Sequence, residues 1–457
     1  MRETPASSSS AAAGAPGAGR LDVAVIGSGI SGLAAAWLLA SRHRVTLYEA
    51  DARAGGHSNT VEVPGPGGAP LAVDTGFIVY NEAAYPNLTA LFKHLGVATQ
   101  ATDMSFAVSL DQGELEYSGT GLKGLFAQPS NLFSPRFWTM LRELVRFYRE
   151  APGDAAEFGL LPLDNYLDLR GYSRALRDDH LYPMAAAIWS ASPDCIGRYP
   201  VEAFVRFCEN HQLLTLGARE PWRTVVGGSR HYVSRMIEAI GPGVHLGCAA
   251  TSVARDADGA WVSSEGAEQP RRFDQVVLAT HADQALRLLK QPSFEEQRLL
   301  GAFHYSRNLA VLHSDASLMP RRRRVWSAWN YAASRARPDQ LSVTYWMNAL
   351  QHLPMSHPLF LTLNPTREPA PASLLRTEVY EHPQFDAAAL RAQHELWSLQ
   401  GQQQTWFCGA YFGSGFHEDG LQSGLAVAEQ LGGVRRPWQV ANESGRIPLP
   451  AKARVAA

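Results

Sequence analysis

The residues best suited to chemistry begin with three glycines spaced as Gly27-x-Gly29-x-x-Gly32. A strand-like apolar stretch precedes them, a helix-like stretch of small residues follows, and the next strand-like stretch ends at Glu49. In such a unit the glycines permit a tight turn, close approach of the backbone to a pyrophosphate, and packing of helix on strand. The helix N-terminus binds phosphate, and a carboxylate about 20 residues further on bonds a ribose hydroxyl. The pattern predicts a dinucleotide site that also contains Ser28, Ile30, Ser31 and Ala50.

A second glycine pair lies directly beyond this carboxylate, in Gly55-Gly56-His57. A plain NAD site does not need such a pair, which indicates that the loop follows a longer, two-part ligand. Residues 71–80 alternate as a strand that breaks at Gly76, and we expect Thr75 and Gly76 to lie beside the same ligand.

The bulk composition excludes several classes of protein. A chain of 457 residues is too long for one simple core, so two domains are expected. The net charge of −2 gives no electrostatic basis for binding nucleic acid. No apolar run reaches the roughly 18 residues needed to span a bilayer. The histidines and cysteines show no metal-ligand spacing, so we predict no metal site.

The compartment is predicted from the cysteines and the N-terminus. Four cysteines lie far apart without a Cys-x-x-Cys pair, which suits a reducing compartment. Residues 1–20 are rich in Ser, Ala, Gly and Pro and lack the apolar core of a secretory signal, so they are predicted to be a disordered tail. We therefore expect a cytoplasmic protein.

Together, the glycine motif, Glu49, Gly55-Gly56 and Asp74-x-Gly76 resemble the FAD-dependent amine oxidase / phytoene desaturase / protoporphyrinogen oxidase superfamily. Residues 226–233 and 405–428 extend the resemblance, because they are similar to the later flavin segments of that superfamily. The resemblance implies an α/β fold, with a Rossmann-like FAD-binding domain of the amine oxidase (GR2) type interleaved with an α+β substrate domain. It also implies non-covalently bound FAD.

The segments that carry these motifs give the expected domain boundaries. Residues 21–100, 221–290 and 401–435 are assigned to the FAD-binding domain and residues 101–220 and 291–400 to the substrate domain, with a C-terminal tail over 436–457. Within the substrate domain, residues 105–110 and 114–117 are expected to form a hairpin. Residues 85–96 have the spacing of a helix that ends at a glycine.

The resemblance also implies further cofactor contacts. The main chain near Ala250 would read the adenine, and Thr280 ends a strand at the sheet edge where cofactors lie. The C-terminal flavin loop would contribute Gly413, His417, Gly420 and Ser423. Candidate catalytic residues are His417, Glu418 and Tyr411. For His417 and Glu418 the alternative is that they brace the loop, and for Tyr411 that it is an ordinary core aromatic.

One departure from the family bears on the reaction. Amine oxidases that resemble this chain place a lysine, through a water, at the flavin N5, whereas here Arg307 or Asn308 stands at the matching position. The departure counts against amine oxidation and favours the desaturase-like branch, in which a carbon-bound hydride leaves to the flavin.

Three functions therefore stay open. The first is an FAD oxidoreductase that acts on a lipid-like, fatty-acyl substrate. This function is favoured because the sequences of the motifs resemble those of a bacterial branch often encoded beside cyclopropane-fatty-acyl-phospholipid synthase-like methyltransferases. The second is an amine oxidase acting on a small or polymeric amine. The third is a non-catalytic flavin-binding partner of a lipid methyltransferase. The oligomeric state is not predicted.

A run of four arginines, Arg321–Arg324, followed by Trp326 and Trp329, is the strongest cluster of charge. It is typical of a solvated surface loop. The functional alternative is peripheral docking on anionic phospholipid headgroups at the inner face of the membrane, with the tryptophan pair at the interface.

Overall fold

A computed structural model describes residues 19–189, 193–215 and 220–450, without the side chains of 193, 194, 338 and 339. The tail predicted over residues 1–20 lies, apart from Gly19 and Arg20, outside this range. Among the helices of the described ranges, none combines the length and the apolar character needed to cross a membrane.

The FAD segments meet in a parallel sheet. Its strands are short and apolar, as expected for strands covered on both faces. In spatial order they are β10 (Val244–His245), β2 (Arg44–Tyr48), β1 (Asp22–Ile26), β14 (Gln275–Leu278) and β20 (Thr405–Phe407). Strands from residues 21–100, 221–290 and 401–435 thus lie side by side.

The other half of the molecule contains a mixed sheet. Its order is β19 (Leu374–Gln384), β15 (His304–His313), β18 (Phe360–Leu363), β17 (Arg337–Trp346), β16 (Trp329–Ser334), β7 (Phe106–Leu110) and β8 (Leu115–Ser118). The hairpin expected over residues 105–117 is confirmed, because β7 and β8 pair antiparallel.

The described residues also form three smaller sheets. They are β3 (Thr60–Pro64) with β4 (Pro70–Asp74); β5 (Tyr80–Asn81), β9 (Trp222–Val225) and β6 (Thr99–Thr102); and β11 (Ala250–Asp256), β12 (Gly259–Ser264) and β13 (Arg271–Phe273).

Helices cover both large sheets. They are α1 (Ile30–Ala40), α2 (Pro86–Leu95), α3 (Leu122–Leu125), α4 (Pro135–Phe158), α5 (Leu163–Leu169), α6 (Arg174–Leu176), α7 (Tyr182–Trp189), α8 (Pro193–Gly197), α9 (Val201–Asn210), α10 (Arg230–Ile240), α11 (Ala282–Leu288), α12 (Phe294–Leu300), α13 (Met347–Gln351), α14 (Ala387–Glu395) and α15 (His417–Gly432). The helix predicted over 85–96 is confirmed as α2, which ends at Gly96 in the left-handed conformation.

Helices α1 and α15 cross at very short range. A Cβ added to Gly424 would lie 2.2 Å from the Ser31 carbonyl oxygen, and one added to Gly420 would lie 2.8 Å from Ser31 Oγ. Only glycine permits this approach, so the crossing brings the N-termini of both helices to one place.

Residues 436–450, assigned from the sequence to a tail, pack on the FAD-binding domain. Trp438 stacks on Trp37, with ring centroids 5.8 Å apart, and Ile447 is buried. The Arg446 guanidinium donates to the buried carboxylate of Asp419 at 2.6 Å. This segment is therefore part of the folded unit.

His313 gives a prediction about stability and pH. It is fully buried on β15, where Nδ1 accepts from the Asp315 N–H at 3.1 Å and Nε2 donates to Thr362 Oγ1 at 2.7 Å. Burial lowers the pKa of His313 to about 4. Below about pH 6.5 His313 binds a proton in the unfolded chain, whereas in the folded chain it stays neutral down to about pH 4. The free energy of unfolding therefore decreases by about 1.4 kcal/mol per pH unit as the pH falls from about 6.5 to 4.

We therefore expect His313→Gln to flatten the pH dependence of the free energy of unfolding in this window, measured by urea denaturation. His304→Gln, at an exposed position on the same strand, is the matched control and should keep the wild-type slope. Equal slopes for wild type and His313→Gln would contradict the assignment.

Candidate active site

A cavity of about 1830 Å³ runs from the carboxyl ends of the parallel strands to the face of the mixed sheet. In open α/β sheets this edge is where nucleotide cofactors bind. Because residues of all three FAD segments and of the substrate domain line it, the cavity joins the two halves.

The N-terminus of α1 opens into one end of the cavity. Gly29 is its N-cap, and no side chain in the described part of the protein caps it, so the first N–H groups of the helix are available to a ligand. A Cβ built on Gly29 meets no atom within 4 Å, whereas one on Gly32 would lie 1.9 Å from the Gly27 carbonyl oxygen. The glycines thus have separate tasks: Gly29 leaves room beside the backbone, and Gly32 allows the helix to pack. This cradle fits a pyrophosphate.

Glu49 is held rigidly beside this cradle. Its carboxylate accepts from the Ser28 N–H at 2.8 Å, from Ser28 Oγ at 2.5 Å and from the Asp51 N–H at 2.9 Å. A carboxylate has about four acceptor positions, so one is left for a further donor such as a ribose hydroxyl. Ala250 and Thr251 line the cavity at the start of β11.

His417 opens α15 and lines the middle of the cavity. Its Nε2 lies 2.9 Å from both Ser58 Oγ and Tyr232 Oη, and its ring stacks on Phe77 with centroids 3.8 Å apart. Burial lowers the pKa of His417 to about 3, so the imidazole is neutral. The side chain is positioned by three neighbours from the FAD-binding segments, which supports a cofactor contact.

Glu418 and Asp419 turn away from the cavity to hold other elements. The Glu418 carboxylate accepts from the N–H groups of Asn87 and Leu88, both at 3.0 Å, and so caps α2. Asp419 accepts from the N–H groups of Ser414 at 3.1 Å and Phe416 at 2.8 Å. Of the two roles weighed for Glu418, the contacts support bracing rather than proton transfer.

Tyr411 lines the cavity and is buried. Burial raises the pKa of its hydroxyl, which has no hydrogen-bond partner among the described residues. A buried Tyr hydroxyl normally has a partner, so this one is available to a ligand in the cavity.

Sequence reasoning missed a cluster of neutral imidazoles beside His57. His57 lies 5.0 Å from Tyr380 and 5.6 Å from His382 between ring centroids, and His382 Nδ1 lies 3.2 Å from Asn308 Nδ2. Burial lowers the pKa of His57 well below its usual value and that of His382 to about 4. Of the two residues matched to the lysine of amine oxidases, Arg307 lines the cavity, whereas Asn308 is buried outside its described lining and contacts His382. The two-residue spacing of Tyr380 and His382 on one strand is the only sequence signal for the cluster.

The far arm of the cavity lies between α4, α7, α9 and the mixed sheet. Its apolar lining residues are Met104, Phe106, Leu125, Leu141, Leu144, Val145, Met184, Ile188, Phe207, Leu213, Leu361 and Leu363. Among the described residues, Trp189 Nε1, His211 Nε2 and Trp329 Nε1 line this cavity and have no hydrogen-bond partner. His211 Nδ1 lies 3.0 Å from the Phe207 carbonyl oxygen and donates to it, so Nε2 is an acceptor. Burial lowers the pKa of His211 to about 3.

The predicted site residues divide into two groups. Those that line the cavity are Gly27, Ser28, Gly29, Ile30, Ser31, Glu49, Ala50, Gly56, His57, Thr75, Gly76, Ala250, Thr280, Tyr411 and His417. Those outside its described lining are Gly32, Gly55, Gly413, Gly420, Ser423 and Glu418. The second group packs elements together: Ser423 Oγ, for example, accepts from the Gly409 N–H at 3.0 Å and braces the loop that precedes α15.

A parallel sheet with a dinucleotide cradle at its edge, continuous with an apolar arm, defines an enzyme that brings a nucleotide cofactor to a substrate. The family model for flavin containing amine oxidoreductases matches residues 30–314. The chain belongs to that family and is an FAD-dependent oxidoreductase.

Solved structures share the fold. A putrescine oxidase bound to putrescine is 17% identical with a TM-score of 0.65, and the match covers 90% of this chain and 99% of that one. Cyclohexylamine oxidase from Brevibacterium oxydans is 16% identical with a TM-score of 0.62, over 90% of this chain and 99% of that one. A CLA-producing fatty acid isomerase from P. acnes is 13% identical with a TM-score of 0.62, over 90% of this chain and 98% of that one. No curated protein sequence matches the chain.

Proposed function

We propose that the protein oxidises a lipid-like substrate, with a fatty acyl chain as the preferred class. The observation that carries the proposal is the apolar arm, which continues directly from the cofactor cradle. When bound, FAD accepts a hydride at N5 and so supplies the redox chemistry.

The placement of the acidic side chains disfavours a cationic substrate in the apolar arm. The acidic residues among its described lining are Glu49, Asp51, Glu378 and Glu381, and all lie on or beside β2 and β19. Glu49 bonds Ser28, and Glu381 lies 3.4 Å from His281 Nδ1. An alkylammonium ion in the apolar arm would lose its hydration without gaining a carboxylate partner.

The residues of the chain have distinct tasks in this proposal. Leu141, Leu144 and Met184 exclude water from the arm and hold the hydrocarbon by burial. The Nε2 atom of His211 is a buried acceptor for a polar group of the substrate; because burial lowers the pKa of His211 to about 3, the proton left after hydride loss would pass to water. Tyr411 and His417 line the part of the cavity between the arm and the cradle.

Anaerobic mixing of the purified yellow protein with candidate substrates tests the proposal. Bleaching of the flavin absorbance by fatty acyl lipids supports it, and bleaching by amines would support the amine oxidase alternative instead. A persistent yellow colour with tight binding of a lipid methyltransferase would support the non-catalytic alternative.

Filling the arm gives a sharper prediction. Leu144→Trp on α4 should displace about two methylenes of a bound acyl chain, which costs about 1.6 kcal/mol and raises the acyl concentration for half-maximal bleaching about 15-fold. Arg149→Trp adds the same ring at an exposed position of the same helix and should have no effect. FAD content should be unchanged in both variants, and an unaltered acyl dependence in Leu144→Trp would exclude the arm as the acyl site.

A further inference from the structure

Large apolar side chains are exposed where the chain enters α4. Phe133 is 84% exposed and Leu122 is 74% exposed, and Leu132 and Trp138 are also exposed. Leu122 begins the short helix α3, and Phe133 ends a short 3-10 helix directly before α4. Such a concentration of exposed apolar groups marks an interaction surface.

The arginine run lies beside these apolar residues because both are tied to Glu116. The buried Glu116 carboxylate accepts from the N–H groups of Arg321 at 2.8 Å and Arg322 at 3.1 Å. The Glu116 N–H donates to Gln128 Oε1 at 2.7 Å, and its carbonyl oxygen accepts from Asn131 Nδ2 at 3.0 Å. Residues 128–133 and 321–324 are therefore neighbours.

The charge of this region has one sign. Residues 117–142 and 316–336 contain no acidic side chain, although Glu114 stands exposed just before the first segment. The basic residues of these two segments are Lys123, Arg136, Arg142, Arg321–Arg324 and Arg335. Arg136 and Arg335 neutralise the buried carboxylate of Asp179, and Arg322 neutralises that of Glu116. The others face solvent.

The same segments border the apolar arm of the cavity. Leu125 of α3 and Leu141 of α4 line it, each three residues after the exposed Leu122 and Trp138. Gly119 and Gly121, just before α3, also line it. The arm thus reaches the surface next to the exposed apolar groups.

We propose that this docking face, made of Leu122, Lys123, Leu132, Phe133, Trp138, Arg142, Arg321, Arg323 and Arg324, binds the surface of an anionic phospholipid bilayer. Apolar side chains that enter the acyl boundary, flanked by basic groups at the headgroups, are the recognised means of peripheral attachment. Nucleic acid would match the charges but would leave Phe133 and Leu122 in water. This proposal rests on the proposed function, because a lipid substrate is the reason for the enzyme to bind a membrane.

The tryptophans expected at the interface have other positions. Trp326 Nε1 donates to the Pro320 carbonyl oxygen, and its ring packs edge-on against Trp346, while Trp329 lines the cavity. The expectation of an interfacial tryptophan pair is therefore corrected, and Phe133, Leu122 and Trp138 take that place in the proposal.

Co-sedimentation of the full-length, FAD-loaded protein with vesicles tests it. We expect binding to vesicles of phosphatidylcholine mixed with phosphatidylglycerol, weaker binding to pure phosphatidylcholine, and a decrease as salt is raised. Phe133→Ser combined with Leu122→Ser should weaken binding at least tenfold at every salt concentration. Arg321→Gln, Arg323→Gln and Arg324→Gln together should weaken it by about fivefold per arginine and remove most of the salt dependence.

Matched controls carry the same changes elsewhere. Phe294→Ser removes a 75% exposed phenylalanine on α12, and Arg44→Gln with Arg376→Gln removes exposed charges distant in sequence from the face. All should bind as wild type does. If the wild type ignores anionic vesicles at low salt, or if the face variants bind unchanged, the proposal is wrong. Because this assay reads vesicle binding and not flavin bleaching, its failure is separate from a failure of the proposed reaction.

Discussion

Replacing Gly29 by alanine is expected to leave the fold intact and to lower the affinity for FAD by about ten- to hundred-fold. The backbone at Gly29 has φ −61° and ψ 174°, which an L-residue adopts without strain, and the added Cβ meets no protein atom. The methyl group would occupy the space in which a pyrophosphate approaches the α1 N-terminus. Overpacking of this kind costs about 1–3 kcal/mol. Titration of the apoprotein with FAD, followed by flavin fluorescence, gives the affinity.

Gly153→Ala on α4 is the matched control, since a Cβ there also meets nothing within 4 Å. It should keep the wild-type FAD affinity, and urea unfolding of both apoproteins should show stability equal to the wild type or greater by about 0.4–1 kcal/mol. Unchanged FAD affinity in Gly29→Ala would mean that the cofactor does not pass the α1 N-terminus.

Replacing Arg446 by methionine is expected to destabilise the protein by about 3–5 kcal/mol. Its guanidinium donates to Asp419 at 2.6 Å and to the Ala84 carbonyl oxygen at 2.7 Å, and Asp419 is fully buried. Burial already raises the pKa of Asp419, and the cation opposes this rise. In Arg446→Met the Asp419 carboxylate is left buried and unpaired. A buried charge without a partner is the main cause of the stability lost when one member of a buried ion pair is removed. Urea denaturation of the FAD-loaded protein measures the loss.

Adding Asp419→Asn to Arg446→Met removes the uncompensated charge, and the double variant should recover part of the lost stability. Arg435→Met, directly before this segment and at a 40% exposed side chain, should cost under about 1 kcal/mol. A loss for Arg446→Met no larger than that for Arg435→Met would contradict the buried ion pair.

The cofactor cradle could be predicted from the sequence because its requirements are local. The turn at Gly27, the open space at Gly29 and the packing at Gly32 depend on a few consecutive residues, and glycine alone satisfies two of them. The strand and helix around them follow from short apolar patterns. The structure places the predicted cradle residues accordingly.

The roles of Glu418, His382 and Arg446 could not be predicted, because each depends on a residue distant in sequence. Glu418 caps a helix about 330 positions earlier, and His382 meets Asn308 only through the pairing of β15 with β19. Arg446 lies in a segment without a recognisable pattern, yet neutralises Asp419. Such partnerships arise from tertiary packing and leave no periodic signal.

The crossing of α1 with α15 has a consequence for biosynthesis. The ribosome releases Ile30–Ala40 well before His417–Gly432, because about 370 residues separate the two helices in the sequence. Closing so long a loop is entropically unfavourable until its contacts form, so this contact is expected to form late. A nascent chain that still lacks His417–Gly432 would present only part of the flavin's binding surface, and capture of the cofactor should therefore follow synthesis of this helix.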